Sequence, residues 1–410
     1  MTSDASQARR VFVWTWLPGE SEPVVAGAID RVGANRLDFT YARSYLANDN
    51  AISLYAPELP MRRGAQQPLD GLTVAACLKD ATPDSWGQRV IGNHLGSGED
   101  ELTIETYMLE SGSNRLGAID FQMDPHEYRP RLDTAGLDEL YDAAEKVLAG
   151  EPLNPTLGDA LMIGTAIGGA HPKVLISDNG TEYIAKLSIS TDVHPVIRAE
   201  AVGIELARRC GLNVTNAQVI KSAGRDVLLI ERFDRPTLGQ RRHVVSGLTL
   251  LGFDALLGAR YGSYPEMLDV LREHARVPSE IGRKLFERVV FNVAIGNNDD
   301  HARNHAAFWD GTTLELTPAF DLTPQVRSTD TSSQAMRIGR DGSTGSQFSV
   351  CVSAAADYGL SEPEAKEIVD RIVTTTEHQW LDAADAAGLS SADRAMLWKR
   401  SILNRSTFYE

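Results

Sequence analysis

The segment from Asn297 to His305 is rich in acidic, amide and imidazole side chains. Within it, Asp299 is followed five positions later by Asn304, and Asp321 comes next in the run Thr317-Pro-Ala-Phe-Asp-Leu-Thr323. Phosphoryl transfer needs a carboxylate that accepts a hydroxyl proton, together with carboxylate or amide oxygens that hold Mg²⁺ beside the phosphates. The spacing of Asp299, Asn304 and Asp321 fits those needs.

Polar loops of this composition are also common without any site, because Asn and Asp side chains bond their own backbone in turns. The flanking sequence favours a site. An apolar run of helical spacing precedes the cluster, and a short strand-like run, Ala306–Trp309, follows it before the Asp310-Gly311 turn signal. The cluster is therefore predicted at the exit of a buried helix and ahead of a hairpin.

The overall composition is that of a folded soluble protein. The chain has 410 residues, of which 42% are hydrophobic and 23% charged, with a formal net charge of −16. Such an acidic surface does not favour binding to nucleic acid phosphates, so any role on DNA would need a partner. Three widely spaced cysteines favour a reduced, cytoplasmic setting, and the sequence carries no apolar run long enough for a membrane span and no signal peptide pattern.

The predicted elements divide the chain into a strand-rich part and a helical part. Short β-branched and aromatic runs at 11–16, 24–29 and 37–41 predict a small antiparallel sheet. Strands at 174–176 and 181–187 flank the turn signal Asp178-Asn179-Gly180, and a helix is predicted from Pro195 to Cys210. Strands at 214–220 and 227–230 follow, and the chain is mostly helical after Pro236. This order matches the two lobes of a protein kinase, an α+β fold.

Four further groups occur in the order that a kinase requires. They are a glycine-rich segment ending at Lys173, Lys186 on the next strand, Glu200 on the following helix, and a hinge-like segment, 228–235. The first three have ordinary alternatives: a flexible turn, an outward-facing lysine and a solvated helix face. Their order, followed by Asp299, Asn304 and Asp321, favours an ATP site.

The chain resembles the HipA family of bacterial serine/threonine kinase toxins over nearly its whole length. The resemblance is carried by Gly168-Gly-Ala-His-Pro-Lys173, Glu231-Arg-Phe-Asp-Arg235, Asn298-Asp-Asp-His-Ala-Arg-Asn304 and Pro318-Ala-Phe-Asp-Leu-Thr323. The N-terminal runs Leu78-Lys-Asp-Ala-Thr-Pro-Asp-Ser-Trp-Gly-Gln-Arg89 and Leu116-Gly-Ala-Ile-Asp-Phe121 are similar to the family's N-terminal domain. We expect a β-rich N-terminal subdomain over 1–125, an ATP-binding lobe over 135–236 and a helical catalytic lobe over 237–410.

The resemblance also implies residue roles. Asp299 would be the catalytic base, with Asp300 the second candidate. Asn304 and Asp321 would hold Mg²⁺, and Glu200 would pair with Lys186. The residues implied to bind ATP are Ile167, Gly168, Gly169, Ala170, His171, Lys173, Lys186, Glu231, Arg232, Phe233, His301 and Asn304.

The family implies partners and regulation as well. It implies a HipB-like helix-turn-helix antitoxin that supplies the DNA contact, and a protein substrate among the aminoacyl-tRNA synthetases. Family members often carry a serine just before the Gly-Gly loop whose autophosphorylation inactivates the kinase. Ala166 occupies that position here, and the adjacent Thr165 is the alternative acceptor.

Two other functions remain open from the sequence. A catalytically silent kinase-like module would act only through its antitoxin and DNA complex, although every expected polar group is present. A metal-dependent phosphohydrolase would use the carboxylates and imidazoles of Asp299, Asp300, His301 and His305. The phosphohydrolase hypothesis does not explain the glycine-rich loop, Lys186 or the hinge-like segment.

Overall fold

The computed structural model describes residues 10–98, 101–131, 137–151, 161, 172–190, 192, 194–326 and 331–409. The chain forms two compact units. Unit 1 comprises residues 1–189, 234–245 and 309–312, and unit 2 comprises residues 190–233, 246–308 and 313–410. The predicted α+β fold class is confirmed, whereas the predicted division at 1–125, 135–236 and 237–410 stays a prediction.

The N-terminal part of unit 1 is an antiparallel sheet with short helices. The elements are β1 (Val11–Trp16), β2 (Pro23–Arg31), β3 (Leu37–Tyr41), α1 (Arg43–Leu46), β4 (Ala65–Gln66), α2 (Ala76–Lys79), α3 (Ser85–Leu95), α4 (Ile104–Glu110), β5 (Ile119–Gln122) and α5 (Leu137–Ala149). The strands pair in the order β4-β3-β2-β1-β5. The predicted strands over 11–16, 24–29 and 37–41 are confirmed.

A buried arginine fixes the loop that leads into α3. Arg115 is fully buried and donates to the Asp120 carboxylate at 2.6 Å and to the Ala81 carbonyl oxygen at 2.8 Å. Burial lowers the pKa of the Arg115 guanidinium to about 10, so the group stays charged at neutral pH. Asp84, which follows in the same anchored loop, is the N-cap of α3 and accepts from the Gly87 amide.

Unit 1 also contains a β-hairpin formed by β6 (Lys173–Asp178) and β7 (Thr181–Leu187). Its turn residues Asn179 and Gly180 both have positive φ angles, 48° and 81°. A turn with two positive φ angles matches the twist of the flanking strands, which is why Asn-Gly is favoured there. The hairpin predicted from this dipeptide is confirmed.

Unit 2 begins with a helix packed on a second hairpin. These elements are α6 (Val196–Arg209), β8 (Ala217–Ser222) and β9 (Arg225–Glu231). Ile197 and Ile204, one face of α6, pack against Leu228 and Ile230 of β9 in a buried cluster. The predicted helix from Pro195 to Cys210 is confirmed, with Pro195 at the N-cap position.

The rest of the chain is mostly helical, apart from short strands. The elements are β10 (His243–Ser246), α7 (Gly247–Leu251), α8 (Ala255–Tyr261), α9 (Tyr264–His274), α10 (Pro278–Ile295), β11 (Ala306–Trp309), β12 (Leu314–Leu316), α11 (Phe348–Ser353), α12 (Glu362–Ala386) and α13 (Ser391–Leu397). Helix α10 lies at the centre of these helices: it packs against α9 and α12, and nearly all its residues from Leu285 to Ile295 are buried.

No described helix is both long enough and apolar enough to cross a lipid bilayer.

Candidate active site

The loop that carries Asp299 leaves the C-terminal end of α10. Gly296 ends the helix with a φ of +71°, a conformation that glycine adopts without steric cost. The next residues differ in exposure: Asp299 faces solvent, whereas Asn297 and Asp300 are buried. The two neighbouring aspartates that the sequence offered as proton acceptors therefore lie in different environments.

Asp300 is surrounded by hydrogen-bond donors. Its Oδ2 accepts from the Tyr264 hydroxyl at 2.6 Å and from Asn292 Nδ2 at 2.7 Å. His305 Nε2 lies 3.0 Å from both carboxylate oxygens. A carboxylate with hydrogen-bond partners on both oxygens is poorly placed to take a proton from a substrate hydroxyl. The geometry fits a residue that holds the loop in place.

Asn304 fixes the backbone of Asp299 from the other side of the loop. Its Nδ2 donates to the Asp299 carbonyl oxygen at 2.9 Å, and its backbone amide donates to the His301 carbonyl oxygen at 2.8 Å. Residues 302–304 form a single 3-10 turn. Because the amide nitrogen points back to the loop, the Asn304 side-chain oxygen is the atom left to bind a cation.

Asp321 occupies a strained backbone conformation. Its φ is +58°, in the left-handed region that few non-glycine residues adopt. Asn297 holds the backbone of Asp321, because its Nδ2 donates to the Asp321 carbonyl oxygen at 3.1 Å. The same Nδ2 donates to Asn292 Oδ1 at 3.0 Å, which fixes the Asn297 side chain in turn. Asn292 also donates to Asp300, so one buried pair of asparagines links the backbone of Asp321 to the carboxylate of Asp300.

Asn304 and Asp321, the predicted Mg²⁺ ligands, have side chains of a suitable chemical type. Both offer side-chain oxygens, the ligand type that Mg²⁺ prefers. Among the described residues no group of three or more His, Cys, Asp or Glu side chains is arranged as a metal site. An amide and a carboxylate, completed by phosphate oxygens and water, fit the few protein ligands that Mg²⁺ uses in ATP-dependent enzymes.

The predicted adenine segment follows β9. Phe233 packs edge-on against Phe308, with ring centroids 5.7 Å apart, and lies 5.8 Å from Phe320, the residue before Asp321. The backbone of Glu231 is already bonded: its amide donates to the Asn216 carbonyl oxygen and its carbonyl oxygen accepts from Thr215 Oγ1. Arg232 is buried. The Glu231 carbonyl oxygen keeps a second lone pair, so adenine contact by Glu231 and Phe233 stays a prediction.

Glu200 of α6, the predicted partner of Lys186, is 2% exposed. Burying a charged glutamate costs free energy unless the carboxylate is paired, so we expect Glu200 to have a structural or catalytic role.

In unit 1 the two candidate lysines lie directly opposite one another. Lys173 and Lys186 are register partners on the antiparallel strands β6 and β7, so both side chains project from the same face of the hairpin. Lys173 is 2% exposed and its Nζ lies 3.4 Å from Asp84 Oδ2. Two like charges in opposite positions are unfavourable unless anions compensate them.

Some of the predicted residues fall outside the described part of the chain. They are Thr165, Ile167, Gly168, Gly169, Ala170 and His171. Of the others, Asp299, Asp300, His301 and Asn304 share one loop of unit 2. The roles assigned to all of these residues stay predictions.

Sequence reasoning missed four residues that shape the site. Tyr264, Asn292 and Asn297 bond the loop, and Gly203 packs against the residue after Asp321. Asn292 carried a usable signal, because it interrupts an otherwise apolar helix face. Tyr264 carried none, because a tyrosine at a helix start is ordinary.

Comparison with known proteins identifies the family of this chain. The family model of the HipA-like C-terminal domain matches residues 165–380, more than half of the chain. The chain belongs to the HipA family. The matched region contains Asp299, Asn304 and Asp321, together with both lysines.

Two curated relatives carry kinase names. "Putative kinase Y4mE" of Sinorhizobium fredii is 25% identical over 332 residues, 74% of this chain and 76% of that protein. "Serine/threonine-protein kinase toxin HipA" of Shewanella oneidensis is 26% identical over 183 residues, 38% of this chain and 42% of that protein.

A solved structure has the same fold. It is the HipA chain of the Shewanella oneidensis MR-1 toxin–antitoxin system in complex with HipB and operator DNA. It superposes with a TM-score of 0.71 at 18% identity, covering 93% of this chain and 95% of that one. The predicted HipA-like, two-lobed kinase fold is confirmed.

Proposed function

We propose that this HipA family member is an ATP-dependent serine/threonine protein kinase. The observation that carries the proposal is the exposed Asp299 on a loop held by Asn304 and Asp300, with Asp321 linked to the same loop through Asn297. A base that faces solvent while its backbone is fixed can meet a protein hydroxyl without reorganising. The kinase names of the two curated relatives support the same activity.

In the proposed reaction Asp299 accepts the proton of a serine or threonine hydroxyl. The hydroxyl oxygen forms a bond to the γ-phosphorus of ATP while the bond to the β-phosphate bridging oxygen breaks, and ADP leaves. In this proposal Lys173 and Lys186 contact phosphate oxygens, and Glu231 and Phe233 line the adenine site. Mg²⁺ bound by Asn304 and Asp321 would neutralise phosphate charge. His301, two residues after Asp299, is a further candidate phosphate contact.

Asp300 takes a positioning role in this proposal. Its carboxylate is occupied by Tyr264, Asn292 and His305, so the proton acceptor is assigned to Asp299.

The biological role follows from the family. We infer a growth-inhibiting toxin that phosphorylates an aminoacyl-tRNA synthetase in the cytoplasm and is neutralised by a HipB-like helix-turn-helix antitoxin. The solved relative is complexed with HipB and operator DNA, and the net charge of −16 favours DNA contact through such a partner. Thr165 is the proposed autophosphorylation site, where added negative charge would repel ATP phosphates.

The first experiment measures phosphate transfer from labelled ATP, with Mg²⁺, to a panel of purified aminoacyl-tRNA synthetases. Asp299→Asn should abolish transfer, because it keeps the shape of the side chain and removes the base. Asp49→Asn is the matched control, since Asp49 is an exposed aspartate in a loop of unit 1. ATP binding without transfer to any protein would instead support a silent binding module, and release of free phosphate would support a phosphohydrolase.

Autophosphorylation is tested separately. After incubation with ATP, mass spectrometry of the peptide covering residues 160–175 should find one phosphate on Thr165, and Thr165→Val should remove it. An unmodified peptide in an active enzyme would exclude this form of regulation.

A further inference from the structure

The ion pair between Asp84 and Lys173 joins the N-terminal part of unit 1 to the strand that bears the first of the proposed phosphate-binding lysines. Asp84 lies in the run 78–89 that resembles the family's N-terminal domain, and 89 residues separate it from Lys173. The two side chains are almost completely buried, at 8% and 2% exposure. We propose that Asp84 is a positioning residue of the nucleotide site, which holds the Lys173 ammonium ready for ATP phosphates.

The carboxylate of Asp84 is itself rigidly placed. Its Oδ1 caps α3 by accepting from the Gly87 amide at 3.2 Å, and its Oδ2 faces Lys173. The backbone before it is held by Arg115, which donates to the Ala81 carbonyl oxygen, and by Gln88, which donates to the Pro83 carbonyl oxygen. A carboxylate fixed by this many contacts can define the position of a flexible lysine.

Lys173 needs such a partner because of where it lies. Its side chain is buried, and its register partner on β7 is another lysine, Lys186. A buried ammonium opposite a second cation is destabilised unless an anion is near. Asp84 supplies that negative charge at 3.4 Å. An ammonium group has three donors, so contact with one carboxylate is compatible with contact to phosphate oxygens.

The inference rests on the proposed function, because it assigns Asp84 a role in ATP binding. It goes beyond that function by giving the N-terminal subdomain a direct part in the nucleotide site. Its consequence is specific: loss of Asp84 should weaken contacts to the phosphates and leave contacts to the adenosine part unchanged.

The test compares Asp84→Asn with wild type in the full chain. Asparagine keeps the helix cap through Oδ1 and places an amide nitrogen opposite the Lys173 ammonium. We expect the KM for ATP to rise about tenfold, the size of effect for losing one hydrogen bond to a charged group, with kcat changed much less. Calorimetric affinity for ATP and ADP should fall equally, whereas adenosine should bind as in wild type.

Two further variants make the result decisive. Asp254→Asn changes the N-cap aspartate of α8, which accepts from the Leu257 amide in the same way, and should leave the KM for ATP unchanged. If Asp84 acts through Lys173, Asp84→Asn combined with Lys173→Gln should bind ATP no more weakly than Lys173→Gln alone.

The outcomes separate this inference from the proposed function. If wild type binds ATP and Lys173→Gln weakens binding while Asp84→Asn does not, the role of Asp84 is refuted and the kinase proposal stands. Equal losses of ATP and adenosine binding in Asp84→Asn would identify a general structural effect and also refute it. If wild type binds no ATP at all, both proposals fail.

Discussion

Gly203 of α6 lies directly against the backbone carbonyl group of Leu322, the residue that follows Asp321. A Cβ atom at position 203 would overlap the Leu322 oxygen far inside van der Waals contact. The helix that bears Glu200 is therefore packed, without any intervening side chain, on the turn that bears the proposed metal ligand. Asp321 already has a strained φ of +58°, so this turn has little freedom to adapt.

The first prediction concerns Gly203→Ala. The new methyl group must push Leu322 away, and Asp321 moves with it, so we expect kcat to fall by about 10² or more, as when a catalytic group is misplaced by about 1 Å. Phosphate transfer measured at saturating ATP checks this.

Gly282→Ala is the matched control for that experiment. Gly282 is also a helical glycine whose added Cβ would overlap a carbonyl oxygen, that of Tyr358. Its stability loss should be similar, while kcat should be nearly unchanged. Equal losses of kcat in the two variants would mean that the effect is general destabilisation.

The second prediction separates the roles of Asp299 and Asp300. Tyr264→Phe removes the 2.6 Å hydrogen bond to Asp300 Oδ2 and leaves a buried carboxylate with one donor fewer. We expect a loss of about 1.5–3 kcal/mol in unfolding free energy, the range for hydrogen bonds to charged groups, and a reduced kcat. Urea unfolding and phosphate transfer measure the two effects.

Tyr358→Phe provides the comparison, since the Tyr358 hydroxyl donates to a neutral acceptor, the Ile338 carbonyl oxygen. Its cost should be nearer 1 kcal/mol, as for an ordinary hydrogen bond, with kcat retained. If Tyr264→Phe left kcat at the wild-type value, Asp300 would not position the Asp299 loop.

Local features of this fold could be predicted from the sequence because neighbouring residues determine them. The Asn179-Gly180 turn, the helix ending before Gly211 and the strand Ala306–Trp309 each depend on residues a few positions apart. The polar cluster after α10 was also predictable, because an apolar run of helical spacing that leads into acidic and amide residues marks the point where the chain leaves the core.

The contacts that make a site of these residues were not predictable. Tyr264 lies 36 residues from Asp300, and Asp84 lies 89 residues from Lys173. No local pattern pairs such residues, since tertiary packing alone brings them together. The spacing to Asn304 ranks Asp299 before Asp300 in the sequence, but the burial of Asp300 and its bonds to Tyr264 could not be predicted.

The third prediction concerns Mg²⁺ dependence. Asn304→Ala removes the proposed metal-binding oxygen together with the donor to the Asp299 carbonyl oxygen. We expect kcat to fall. We also expect the Mg²⁺ concentration that gives half the maximal rate to rise by about tenfold or more, as is typical when a metal site loses a supporting group. A Mg²⁺ titration at fixed ATP measures it.

Asn298→Ala is the control, because Asn298 lies in the same loop and accepts from Ser332 Oγ without a predicted metal role. It should leave the half-saturating Mg²⁺ concentration unchanged. A lower kcat in Asn304→Ala with unaltered Mg²⁺ dependence would limit Asn304 to holding the loop.

The last prediction concerns the stability of unit 1 in acid. His243 is fully buried, with Nε2 3.0 Å from Thr15 Oγ1 and 3.2 Å from the Trp16 carbonyl oxygen. Burial lowers the pKa of its imidazole from 6.5 to about 4. The unfolded chain therefore binds a proton at His243 more readily than the folded chain does.

Acid should destabilise the folded chain through His243, because the unfolded chain takes up the proton first. Folding keeps His243 neutral, so its contribution to stability is complete above pH 6.5 and is lost as the pH falls towards 4. A shift of this size corresponds to about 3 kcal/mol across that interval. Thermal unfolding of wild type should show this loss, and His243→Gln should reduce it. The control is His378→Gln, at an exposed helix position, which should lose as much stability in acid as wild type does. If His243→Gln also lost as much stability in acid as wild type, another group would cause the acid sensitivity.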